Sequence, residues 1–141
     1  MIFTCTIKGR PIVKKNTQKV ITIRRKKAGL RFGKRPTTKR VIYSPQFLQW
    51  EFNAVMDMRQ AFKGEMITEP MKLVLRFYFK DRQAEADTSN LVEGVQDTLK
   101  KAGVIKDDKL VVKLEAEKFF GSEPRVEIEI WKLTAARREG E

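Results

Sequence analysis

Five carboxylates surround one short helical pattern between residues 87 and 108: Asp87, Glu93, Asp97, Asp107 and Asp108. At about 100° per residue, Asn90, Glu93 and Asp97 fall in one narrow sector, and Leu91, Val95 and Leu99 lie opposite. Asp87 stands just before the helix start, while Asp107 and Asp108 stand beyond its far end, at the entry to a strand. The chain contains no histidine. That excludes Ser-His-Asp and Cys-His catalysis, a histidine general base and histidine-ligated zinc. The chemistry left open uses carboxylates, lysines and hydroxyls, with a hard metal ion where the carboxylates gather. The same residues also admit a structural role, with Asp87 capping the helix and Asp107-Asp108 forming a turn. The helix is about 20 Å long at 1.5 Å per residue, so Asp108 can meet Asp87 only if the strand after it runs back along the helix.

The charge is lopsided in a way that points to a partner. Of 141 residues, the first 50 carry 14 Lys or Arg and no acid, the first acid being Glu51. The remainder carries 16 basic and 18 acidic residues and is close to neutral. A local excess of this kind attracts a polyanion, because Lys and Arg release counterions from phosphate backbones. The basic stretch lacks an amphipathic stripe for a membrane surface. No run approaches the ~20 apolar residues of a membrane span, and the N-terminus lacks the apolar core of a signal peptide, so the expected compartment is the cytoplasm. Cys5, the single cysteine, sits in an apolar alternation and is expected in the core.

The elements that must position the carboxylates follow from periodicity. Ile2 to Ile7 alternate as a strand, which Gly9 and Pro11 end. A long basic loop follows, containing a strand pattern at Val20–Ile23 and a return strand at Val41–Tyr43. Ser44-Pro45 opens a helix expected from Pro45 to Phe62 as a packing element, with Phe47, Leu48, Phe52, Val55, Met56 and Arg59 or Phe62 recurring at helical spacing. Met71 to Lys80 alternates as a strand. The second helix is expected from Asn90 to Ala102, capped by Thr88 or Ser89 and stopped at Gly103. Lys109–Phe120 and Arg125–Leu133 read as two strands forming an antiparallel hairpin around Gly121–Pro124. The expected fold is α+β: a mixed β-sheet with two helices packed on one face and a long basic loop after the first strand. Residues 1–133 would form one domain, with a basic nucleic-acid-binding segment at 10–40 and a polar tail at 134–141.

The segment Asp87-Thr88-Ser89-Asn90-Leu91, then Asp97-Thr98-Leu99, Gly103 and Asp107-Asp108, resembles the core motif of the RusA family of Holliday-junction resolvases. That family's pattern is D-x-D-N-L, a helix with an internal D-x-L, a Gly, then D-D. Gly9, Pro11, Lys14, Lys15 and Asn16 resemble the entry segment of many members, and the resemblance covers roughly residues 2–132. It implies homodimeric, Mg²⁺-dependent endonucleases (with Mn²⁺ as a substitute) that bind four-way DNA junctions and nick two strands symmetrically, in recombination and repair. It further implies a bacterial or phage setting.

Carried over by position, the resemblance makes Asp87 and Asp108 catalytic, with Asp107 beside them. Two positions depart from the pattern: Ser89 replaces the second Asp of D-x-D, and Glu93 replaces a frequent lysine. Ser89 cannot supply a carboxylate's charge, whereas Glu93, one turn along, can reach back towards the helix start. The expected catalytic cluster is therefore Asp87, Glu93 and Asp108, with Asp87, Glu93, Asp107 and Asp108 as metal ligands. Lys14, Lys15 or Lys106 would add electrostatic support. Lys14, Lys15, Arg24, Arg25, Lys26, Lys27, Arg31, Lys34, Arg35, Lys39 and Arg40 are the expected phosphate contacts, which position DNA without reading its sequence. The competing expectation is a non-catalytic DNA- or RNA-binding protein of the same fold with a degenerate metal site.

Overall fold

The computed structural model describes residues 1–12, 19–24, 37–82 and 87–133. Its strands are β1 (Phe3–Lys8), β2 (Lys19–Arg24), β3 (Thr37–Ile42), β4 (Met71–Phe79), β5 (Val111–Phe120) and β6 (Arg125–Lys132). Its helices are α1 (Pro45–Ala61) and α2 (Thr88–Lys101). Four strands form a mixed sheet in the order β1-β6-β4-β5, and β2 pairs with β3 as a separate antiparallel ribbon. The α+β architecture matches the expectation from periodicity.

Alternation in the strands decides which face is covered. Phe3, Cys5 and Ile7 of β1, Val126, Ile128 and Ile130 of β6, and Met71, Leu73, Leu75, Phe77 and Phe79 of β4 are buried together. They join Phe47, Trp50, Ala54 and Met58 of α1 and Leu91, Val92, Val95 and Leu99 of α2 in one core. Cys5 lies there as expected, and burial pushes its thiol pKa up to about 11. The opposite face is polar. Arg76 bonds Glu129, Lys72 pairs with Glu115 at 3.1 Å, and Arg125 lies 3.7 Å from the centre of the Tyr78 ring.

Two expectations about packing are corrected. The last two strands do not form a hairpin. β6 pairs antiparallel with β4, and β5 pairs with β4 in parallel on its other side. β4 is the most apolar strand, and a central strand needs apolar neighbours on both edges. The turn after β5 therefore crosses the end of β4, where the Gly121 N–H donates to the Phe79 carbonyl at 3.0 Å. Gly121 takes φ +85°, a value open to glycine at little cost.

The second correction concerns α1, which carries two apolar stripes. The stripe through Phe47, Trp50, Ala54 and Met58 is buried, while Leu48 (49%), Phe52 (62%) and Met56 (51%) remain exposed. Small Ala54 in the buried stripe lets the helix approach the sheet, which periodicity alone does not reveal. The start of α1 is as expected: Ser44 has φ −61° and ψ 150°, and its hydroxyl accepts from the Phe47 N–H at 3.2 Å. Ser44→Ala should cost about 1 kcal/mol, read as a fall of a few degrees in thermal midpoint.

Candidate active site

The parallel pairing of β4 with β5 fixes where the carboxylates lie. A parallel pair needs a crossover, and α2 supplies it. The helix therefore leads the chain from the C-terminal end of β4 back to its N-terminal end. Asp87 is the N-cap of α2, with φ −65° and ψ 130°, so the helix begins two residues earlier than expected. Its carbonyl accepts from the Leu91 N–H at 3.0 Å, but its carboxylate makes no capping bond. The side chain is exposed, and a capping role does not account for it.

At the other end Gly103, at φ +77°, turns the chain out of the helix. The Ile67 N–H donates to the Val104 carbonyl at 2.8 Å, and the Lys106 N–H donates to the Ile67 carbonyl at 3.0 Å. These bonds tie the turn to the segment just before β4. Asp107 then caps a short 3₁₀ turn, Asp108–Leu110, and its carboxylate accepts from the Lys109 N–H at 3.1 Å. That bond holds the Asp107 carboxyl below the usual carboxylate range, with Asp108, Lys109 and Lys100 adding to the effect.

Lys100 links this end of the helix together. Its ammonium lies 3.6 Å from Asp97 and 3.8 Å from Asp108. The supporting cation expected from sequence was Lys14, Lys15 or Lys106, and Lys100 was missed. The i, i+3 spacing from Asp97 was the available signal. Lys106 is exposed on the turn, and Lys14 and Lys15 lie outside the described residues. Lys101 bonds Glu51 at 2.9 Å and so fastens α2 to α1.

The predicted cluster is thus divided along α2. Asp97, Asp107 and Asp108 gather at its C-terminal end, and Asp87 stands at its N-terminal end, about 20 Å away for a 14-residue helix. Glu93 is exposed about one turn and a half from Asp87, with Ser89 exposed and Asn90 half-buried near the helix start. β5 does run back along the helix, as the meeting of Asp87 and Asp108 requires, but Asp108 precedes the strand and so stays at the far end. The donors are hard oxygens of the kind Mg²⁺ prefers. Among the described residues of one protomer, however, no three Asp, Glu, His or Cys side chains are grouped to hold a metal. The expectation of one compact site from Asp87, Glu93 and Asp108 within a single protomer has no support in this geometry.

Of the expected phosphate contacts, Arg24 lies on β2, and Lys39 and Arg40 lie on β3, where Arg40 is in register with Ile21 and Lys39 with Thr22. Lys14, Lys15, Arg25, Lys26, Lys27, Arg31, Lys34 and Arg35 lie outside the described residues.

Comparison with known proteins settles the family. The model for the family described as "Endodeoxyribonuclease RusA" matches residues 5–131. The chain belongs to the RusA family. Over 84 residues it is 30% identical to a protein of Aquifex aeolicus named "Crossover junction endodeoxyribonuclease RusA", covering 60% of this chain and 66% of that one. Over 49 residues it is 45% identical to "Uncharacterized protein YqaN" of Bacillus subtilis, covering 35% of this chain and 34% of that one. The aligned segments thus span just under two thirds of the first relative and about a third of the second. The RusA match takes in most of β1, both helices, β4 and β5 and nearly all of β6, so the two ends of α2 belong to the family's shared frame. No helix among the described residues is long and apolar enough to cross a membrane.

Proposed function

We propose that this RusA-family chain is a divalent-metal-dependent endodeoxyribonuclease that resolves four-way DNA junctions by paired nicking in recombination or repair, acting as a cytoplasmic homodimer. Mg²⁺ is the expected ion, and Mn²⁺ a substitute. The observation that carries this reading is the placement of the family's acidic motif at the two ends of α2, on a chain matched by the RusA model from residue 5 to residue 131. A lone protomer does not gather Asp87 with Asp108. Two protomers related by a two-fold axis, with their α2 helices antiparallel, set the Asp87 end of one helix beside the Asp108 end of the other. Two sites then form by symmetry, as paired nicking requires.

In this arrangement Asp87 and Asp108 supply hard oxygen ligands, with Glu93 and Asp107 beside them. A bound Mg²⁺ would orient an attacking water and stabilise charge on the phosphate oxygens. Lys100 sets a positive charge 3.6 Å from Asp97 and 3.8 Å from Asp108 at this helix end, which offsets the local negative charge. The basic segment between residues 10 and 40 tracks the phosphate backbone on either side of the branch. Ser89 supports the competing non-catalytic reading, because it stands where the family pattern has an acid.

The test is a synthetic four-way junction incubated with the protein in Mg²⁺, in Mn²⁺ and in EDTA. Nicks paired across the junction are expected with either metal and none in EDTA. Junction binding should weaken linearly with log salt. Replacing Arg24, Arg25, Lys26 and Lys27 by Ala should flatten that slope by about 0.9 for each phosphate no longer neutralised. Tight binding without cleavage in either metal would favour the non-catalytic reading.

A further inference from the structure

The last four carbonyls of α2, those of Thr98 to Lys101, lie at the end where the helix runs out of its own N–H donors. The Ala102 N–H donates to the Thr98 carbonyl at 2.9 Å, the Val104 N–H to Leu99 at 3.0 Å and the Gly103 N–H to Lys100 at 3.1 Å. The Lys101 carbonyl takes its donor from the other helix: the Arg59 guanidinium of α1 reaches it at 3.4 Å. The Lys101 ammonium is held by α1 as well, donating to Glu51 at 2.9 Å. One residue at the end of α2 is thus gripped by α1 at both its backbone and its side chain.

Glu51 does not owe its place to stability. Its side chain is only 14% exposed, and its Oε2 is shielded from water with no hydrogen-bond partner among the described residues. A shielded carboxylate oxygen without a partner opposes folding. An apolar side chain packed between the helices would hold them at least as well. An acid supplies direction instead. Successive helix residues point about 100° apart, so turning Lys101 towards α1 fixes where Lys100 points, and Lys100 lies between Asp97 and Asp108. Holding the Lys101 carbonyl also fixes the line on which the chain leaves the helix for the turn at Gly103 and for Asp107-Asp108.

We infer that Glu51, with Arg59, is a positioning residue for the nuclease: through Lys101 it sets the last turn of α2, and so the place of Asp107 and Asp108. The inference rests on the function proposed above. Both residues act through Lys101 and not on the DNA.

Glu51→Gln keeps the size of the side chain and removes its charge. Arg59→Gln removes the donor to the Lys101 carbonyl from an exposed site. Each is expected to raise the Mg²⁺ concentration for half-maximal nicking about tenfold. Together they should do less than the product of the two, because both act on one residue. Amide exchange followed by NMR should quicken at Gly103, Val104 and Lys109, whose N–H groups bond within this turn, and stay as in wild type along β6. Ile130→Val, fully buried on β6, is the control for lost stability alone: it should lower the thermal midpoint and leave the Mg²⁺ requirement unchanged. If Glu51→Gln and Arg59→Gln nick with the wild-type Mg²⁺ requirement, the role is overturned, even with faster turn amides, and the nuclease reading stands. A shift in requirement that Ile130→Val reproduces also overturns it. If the wild-type protein never nicks, the nuclease reading itself fails, whatever the amides show, and the role falls with it.

Discussion

Asp87→Asn and Asp108→Asn should each reduce junction nicking by at least about 100-fold, while junction binding stays within a few-fold of wild type. Losing a group that supports a metal ligand typically costs 10–100-fold, and losing the ligand itself costs more. Both side chains are surface groups. Asp87 is exposed and makes no cap bond, so its amide should leave the fold intact. Asp108 lies 3.8 Å from Lys100 across solvent, a pairing worth little to stability. Binding should persist because the phosphate contacts proposed above are in the basic segment, and removing a negative charge does not weaken attraction to DNA. Glu93→Gln separates the two views of the departing position: a loss comparable to Asp87→Asn makes Glu93 a ligand, and full activity makes it a solvated helix residue. Gel-based cleavage and fluorescence binding on the same junction give both readouts.

The largest effect on stability is expected at the centre of the sheet. Phe77 is fully buried on β4 between Val126 of β6 and Lys118 of β5 in register. Phe77→Ala removes a ring that neighbouring strands cannot collapse to replace, and should cost about 3–5 kcal/mol. Small domains carry about 5–15 kcal/mol in total, so this variant should unfold at a clearly lower urea midpoint with an unchanged slope. Phe52→Ala, on the exposed stripe of α1, should change the midpoint little. The contrast tests which apolar stripe of the helix is packed.

Much of this molecule was legible in its sequence, and the failures have physical causes. Strict alternation marked β1, β4 and β6, and Ser44-Pro45 marked the start of α1, because these signals are local. The hairpin assigned to β5 and β6 was wrong because pairing is a property of the whole sheet. The choice of β4 as the central strand, buried by neighbours on both sides, overrode the short connection. On α1 two stripes satisfied the same periodicity, and only the sheet's demand for close approach at Ala54 selected one. Asp87, Asp107 and Asp108 stand out in the sequence by type and spacing, and the family resemblance gives them their proposed role. Their division along α2 follows from the parallel β4–β5 pairing, a non-local arrangement no motif encodes. Lys100 was missed because it meets Asp108 only after the turn at Gly103 folds the chain back.

The central claim is that Asp87 of one protomer works with Asp108 of its partner, and mixing the two inactive variants tests it most directly. A mixed dimer of Asp87→Asn with Asp108→Asn holds one site with both carboxylates intact and one with neither. Co-refolded mixtures are expected to regain Mg²⁺-dependent nicking at one of the two paired positions, while each variant alone stays inactive. If the wild-type protein cuts but every mixture stays as inactive as its parents, the two carboxylates act within one protomer and the claim is contradicted.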